Sequence, residues 1–173
     1  LDGDATIVAT KAQSVDVFVW KVTNGVVNPT PQKYAFPVAT PSYYWNVVPM
    51  PVGMTGYMGF FSTSATNGLI WMNSTMGEVS RSSGVRTSGG DVITINGRVY
   101  VAYTAYSGDQ KGVMRICDIT DGKYNQIFNY TMEASGANGN STASACLMVK
   151  NNELYAVFGC TGSGLYFYRI ACK

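Results

Sequence analysis

One phrase occurs four times along the chain: a β-rich run, a short polar turn, a second β-rich run, and a small polar break. It reads ATIVATK-AQS-VDVFVWKV at 5–22, GYMGFFS-TSATN-GLIWMNS at 56–74, RVYVAYTAY-SGDQK-GVMRICDI at 98–119 and ELYAVFG-CTGS-GLYFYRIA at 153–171, a spacing of about 44 to 53 residues. Recurrence at this period constrains the architecture more than any single motif, because each copy must be one supersecondary unit that stacks on the next. Three copies are preceded by a further strand, YWNVVPMP at 44–51, DVITI at 91–95 and SACLMVK at 144–150. Three are followed by another, KYAFPV at 33–38, GEVSRS at 77–82 and KYNQIFNYT at 123–131. The pairs Asn96-Gly97 and Asn151-Asn152 join two of the leading strands to their successors and are strong hairpin signals. The unit is therefore a four-stranded antiparallel meander of about 45 residues. No segment carries a sustained helical period with caps, which makes the chain all-β.

Composition says how these sheets are covered. Apolar residues, 12 Tyr included, make up 46% and charged residues only 13%, with 19 Gly among the rest. Runs such as LYFYRIA and VYVAYTAY do not alternate between apolar and polar, as expected when both faces of a sheet pack on neighbouring sheets. Four-stranded sheets repeated at this period and sandwiched on both sides describe propeller blades. A jelly roll or immunoglobulin-like sandwich would show one solvent face and no repeat. The blades are expected at about 4–38, 43–82, 90–131 and 142–172, in a single β-propeller segment spanning 1–173.

The pattern looks like a β-propeller, and its Tyr/Gly/Asn/Thr-rich texture resembles the uncharacterised secreted or lipid-anchored propellers of Bacteroidetes-type bacteria. No WD dipeptide, kelch double glycine or Asp-box fixes a subfamily. The resemblance implies an extracytoplasmic, secreted or cell-surface, location. Numbered from the axis outward, the strands read 2-3-4, 1-2-3-4, 1-2-3-4, 1-2-3. The first blade lacks its innermost strand and the last its outermost, and a propeller closes by removing such edges. The expectation is an incomplete C-terminal portion of a larger propeller, with the missing N-terminal part as its partner. The alternative is a self-contained four-bladed or irregular barrel-like domain.

The four cysteines, Cys117, Cys146, Cys160 and Cys172, form an even set. The expected register puts Cys160 opposite Leu165, Cys172 opposite Glu153 and Cys146 opposite Val157. Cys146 and Cys160 then point to opposite faces, and Cys146 and Cys172 lie too far apart to bridge. All four read as small buried hydrophobes. Three N-x-[ST] sequons, at Asn73, Asn129 and Asn140, are what twelve Asn among abundant Ser and Thr yield by chance.

The absence of His excludes a Ser-His-Asp or Cys-His nucleophile within the segment and leaves no imidazole base. Without His or CxxC there is no zinc pattern, and no GxGxxG or Walker loop implies a cofactor, so neither metal nor cofactor is expected. The net charge of +2 is spread without a cluster, which gives no footprint for nucleic acid. No run approaches the roughly 18 apolar residues of a membrane span. ITDGKY at 119–124 is a turn signal first, lacking the ligand count calcium needs.

Long Gly/Ser-rich connections between regular strands are where function concentrates. In a propeller the 4–1 loops and 2–3 turns share one rim. Here that rim holds ATPSYYW (39–45), SSGVRTSGGD (83–91) and MEASGANGNST (132–142), with the turns SATN, SGDQK and TGSG. Tyr43, Tyr44 and Trp45 offer rings for stacking on sugars or anchoring a protein, or serve as core at a blade interface. Arg86 is placed to anchor an acid or a sugar hydroxyl, or is a solvated loop residue. Asp91, expected to open an innermost strand, and Asp109, in a 2–3 turn, complete the candidate ligand-binding set. The reading is a non-catalytic binding module for glycan or a partner protein. Two alternatives stand beside it. One is part of a carbohydrate-active propeller enzyme with carboxylates as acid and base, some supplied by the missing part, Asp91 and Asp109 being one of many pairs at a spacing that could serve. The other is a structural interaction scaffold.

Overall fold

The computed structural model describes residues 5–11, 14–38, 45–51, 53–61, 68–82, 86–106, 112–131, 142–160 and 164–171; for residues 45, 86, 88, 106, 142, 143 and 160 it describes the backbone alone. Among the described residues there are strands and turns but no helix. The strands form antiparallel sheets that follow one another along the chain. The first sheet contains β1 (Ala5–Thr10), β2 (Asp16–Thr23), β3 (Val26–Val27) and β4 (Gln32–Ala35), with β3 and β4 both pairing along β2. The second runs β5 (Trp45–Pro49), β6 (Tyr57–Phe61), β7 (Leu69–Met72), β8 (Glu78–Ser82), each strand paired with the next. The third repeats that order with β9 (Arg86–Ile95), β10 (Arg98–Tyr106), β11 (Gly112–Asp118) and β12 (Asn125–Thr131). The fourth has β13 (Thr142–Lys150), β14 (Glu153–Cys160) and β15 (Gly164–Ile170).

The all-β meanders expected from the sequence are present, with local corrections. β9 begins at Arg86, so Asp91 lies within the strand rather than opening it. β10 is long enough to pair with these extra residues, Tyr106 opposite Arg86 and Thr104 opposite Gly89. The β14–β15 register is one residue tighter than expected, with Gly159 opposite Leu165 and Cys160 opposite Gly164. Gly164, at φ 94°, carries the chain out of the turn directly into pairing. The tight turns Asn24-Gly25, Asn96-Gly97 and Asn151-Asn152 all have positive φ at both residues, the geometry that matches strand twist in a two-residue hairpin.

Three apolar cores lie between successive sheets. Val17, Val19 and Phe36 of the first sheet pack with Tyr57, Phe61, Ile70 and Met72 of the second. The second sheet's other face gives Met58, Phe60 and Leu69 to a core shared with Val99, Val101, Tyr103, Val113 and Cys117 of the third. From the opposite face of that sheet, Tyr100, Ala102, Met114 and Ile116 meet Ala145, Leu147, Leu154, Ala156 and Phe158 of the fourth. Alternate residues of β6, β7, β10 and β11 thus enter different cores, which is why those strands read as continuous apolar runs. Cys146 departs from the expected burial: it pairs with Val157 on the face of the fourth sheet that no described sheet covers, and it is exposed. Cys117 is buried; Cys172 and the Cys160 side chain lie outside the described residues.

Polar links tie the sheets at regular intervals. Arg81 Nη2 donates to Pro37 O at 2.8 Å, Asn46 Nδ2 to Gly90 O at 3.1 Å, and Tyr124 Oη to Ser80 O at 3.4 Å; each joins residues 44 apart. Asn28, Asn73 and Asp118, spaced 45 residues apart, each accept the backbone N–H of a Thr two positions on, Thr30, Thr75 and Thr120. An Asx side chain that closes its own turn fixes the path into the following strand.

Candidate binding rim

The register brings two of the expected site residues to corresponding places. Trp45 opens β5 opposite Phe61, and Arg86 opens β9 opposite Tyr106. In both sheets this is the end where the second strand turns into the third. Thr142, opening β13 opposite Cys160, marks the same end of the fourth sheet. Tyr43, Tyr44 and Asp109 lie outside the described residues, as do the side chains of Trp45 and Arg86.

Asp91 is given another task. Its Oδ1 accepts the N–H of Val92 and its Oδ2 the N–H of Leu147, both at 2.9 Å. Leu147 lies in β13, the first strand of the next sheet, and pairs with Ala156 of β14 on its other side. β5, β9 and β13 each end a sheet, so their free edges expose backbone groups that need partners. Asp91 and Asn46 supply them, one accepting from a neighbouring edge and the other donating to it. Thr87, fully buried in β9, adds a third link, its hydroxyl within 3.4 Å of Phe61 O and 3.3 Å of Gly68 O in the second sheet.

The opposite end of the sheets carries two polar clefts that sequence reasoning missed. One, of about 370 Å³, is lined by Arg98, Asp118, Thr120, Asp121 and Asn125. The other, of about 320 Å³, is lined by Asn96, Asn152, Glu153, Arg169, Ile170 and Ala171. In the first, Arg98 pairs with the buried Asp118, whose Oδ1 also takes the Thr120 N–H and hydroxyl. Thr120 Oγ1 in turn accepts the N–H of Val99. Burial works to raise the Asp118 pKa, but the hydrogen bonds from Thr120 and the Arg98 charge outweigh it and hold it below its ordinary value. In the second cleft Glu153 accepts from Tyr155 and pairs with Arg169. The D-x-T-D-G stretch signalled a turn, but nothing local indicated that Arg98, twenty residues away, would complete the ion pair.

The remaining described carboxylates are similarly occupied. Asp16 pairs with Lys33, Glu78 with Arg81, and Asp121 accepts from the Lys123 N–H and the Asn125 amide. The interior thiol and phenol are poorly suited to chemistry. Burial raises the pKa of both Cys117 and Tyr103, whose Sγ and Oη lie 3.9 Å apart. Among the described residues no group of three Asp, Glu or Cys side chains is arranged to hold a metal ion. No protein-family model matches the chain, and no curated protein matches its sequence.

Proposed function

We propose that the chain is a run of β-propeller blades that acts as a non-catalytic binding module on an extracytoplasmic surface. It takes a glycan or a partner protein at the rim where β5 and β9 begin. The blade reading is supported by the stacked meanders, by second and third sheets covered on both faces, by links joining residues 44 apart, and by Asx turns spaced 45 apart. The extracytoplasmic placement rests on composition and on the family resemblance.

One observation carries the choice of binding over catalysis. All six carboxylates among the described residues, Asp16, Glu78, Asp91, Asp118, Asp121 and Glu153, are engaged by ion pairs or hydrogen bonds within the fold. A glycosidase of the carboxylate type needs two acids facing a shared substrate space, and Asp91, one half of the pair considered, instead fastens two sheets. Trp45, with Tyr43 and Tyr44 before it in sequence, and Arg86 provide rings and a cation, a chemistry suited to sugar rings.

A glycan array probed with the purified chain tests this reading, alongside a reducing-sugar assay on any glycan captured. Binding without turnover, weakened at least about tenfold by Trp45→Ala or Arg86→Ala, is expected of an aromatic and cationic anchor. Release of sugar from a captured glycan would favour the enzyme instead. Absence of glycan binding would favour the interaction scaffold, a second reading supported by the open apolar face of the fourth sheet.

A further inference from the structure

The fourth sheet has one face in the core and one in solvent. Its register sets Cys146, Val157 and Phe167 in one row across the three strands, flanked by a row with Met148 and Tyr155 and another with Gly159 and Leu165. Leu165 is 66% exposed, Phe167 69% and Met148 47%. The alternating residues Tyr166, Tyr168 and Ile170 pack against the third sheet, so the outward ones are not simply a frayed end. Contiguous exposed apolar area on a sheet face marks an interaction surface.

The first sheet has a matching face at the other end of the stack. Val17 and Val19 enter the core, while Phe18 and Trp20 point the other way with their rings 6.3 Å apart. Ile7 lies opposite Trp20 and is 46% exposed; Ala9 lies opposite Phe18. Every contact between sheets within the chain sets the forward face of one, in chain order, on the rearward face of the next. Among the described residues, the two faces that no sheet covers are one of each kind, forward on the fourth sheet and rearward on the first.

We propose that a second copy of the chain covers them. The fourth sheet of each copy packs on the first sheet of the other, giving a closed head-to-tail pair of eight sheets. The proposal rests on the blade reading above, and eight lies within the usual range for closed propellers. Three strands about 4.8 Å apart and about seven residues long present roughly 330 Å² per face, so the four faces of a closed pair bury about 1,300 Å², enough for a specific interface. The charged pairs Lys33–Asp16 and Arg169–Glu153 share these faces with the apolar residues, as polar margins accompany apolar centres at protein interfaces.

Sedimentation of the unliganded chain is the test. At about 100 µM, high enough to reveal a weak specific pair, the expected mass is twice that of the 18.6 kDa chain. Phe167→Glu and Ile7→Lys place a charge at opposite faces of the same contact. Each should weaken association at least about tenfold. Both positions are solvent-exposed in the single chain, and circular dichroism of each variant verifies its fold. An equimolar mixture of the two variants should recover pairing, because one of its two contacts is wholly native and the other joins opposite charges. A monomer, an open polymer, or a dimer that resists Ile7→Lys overturns the proposal. Since no ligand is present, glycan binding by a monomeric chain would overturn the pairing and leave the binding reading intact.

Discussion

Both oxygens of Asp91 accept backbone N–H groups, and one of those groups belongs to the buried Leu147 in the next sheet. Asp91→Ala leaves that N–H without an acceptor, at a cost of about 1–3 kcal/mol. Asp91→Asn keeps one oxygen and should lose less. Urea unfolding midpoints of the two variants test the order, and equal midpoints for wild type and Asp91→Ala would remove the link from the account. Asp118 predicts behaviour in acid. Its pKa is lowered in the fold from an ordinary value of 3.8, because Thr120 and Arg98 outweigh the opposing effect of burial. A carboxylate more acidic in the folded state contributes stability above its unfolded pKa and loses it as pH falls toward the folded one. Asp16 and Asp121 are lowered in the same direction, by Lys33 and by the Lys123 N–H first of all, although both are well solvated. Stability should therefore decline as pH falls below about 4. Asp118→Asn should be less stable at neutral pH and show a shallower acid decline, measured as unfolding midpoint against pH.

At the scale of the element, the strands were legible because two signals coincided: apolar runs of strand length, and turns whose residues need positive φ. Asn96-Gly97 and Asn151-Asn152 fixed the β9–β10 and β13–β14 hairpins, and the expected pairing of Cys146 with Val157 followed from the second. The start of β9 was not legible, since SSGVRTSGGD has the composition of a loop. The structure shows why glycine sits in a strand there. A Cβ on Gly90 would come within 2.3 Å of both Ala102 O and the Phe60 ring. The glycine lets Phe60 of the second sheet lie against the backbone of the third, a contact invisible to any reading of β9 alone. Gly90→Ala should cost about 1–3 kcal/mol as overpacking, against about 3–5 kcal/mol for Phe60→Ala. A Gly90→Ala protein as stable as wild type in chemical denaturation would show that this contact relaxes without cost and does not require the glycine. Much of the candidate rim was likewise out of reach of local pattern. Sequence grouped Trp45, Arg86 and Asp91 by loop position, and strand register kept the first two at one end while placing Asp91 within an edge strand bonded to the next sheet.

Across the whole molecule, support for a sheet depends on its place in the stack. The second and third sheets have core on both faces, and the first and fourth on one. Arrays whose units contact only their neighbours lose structure from the ends, because each terminal unit is held through a single interface. In the monomer, amide exchange should therefore be slowest in β10 and β11 and fastest in β1, β4 and β15. Phe36 gives that expectation a sharp form. It is 3% exposed and meets Phe61 edge to face at 5.2 Å, fastening the first sheet to the second. Phe36→Ala removes about 3–5 kcal/mol from that interface alone. Protection in β1, β2 and β4 should fall sharply while β10 and β11 exchange as before. Phe60→Ala, acting between two sheets that support the rest, should lower protection throughout. Hydrogen exchange resolved by peptide distinguishes the cases, and an even loss of protection in both variants would mean that the sheets fold as one unit rather than as a stack of coupled ones.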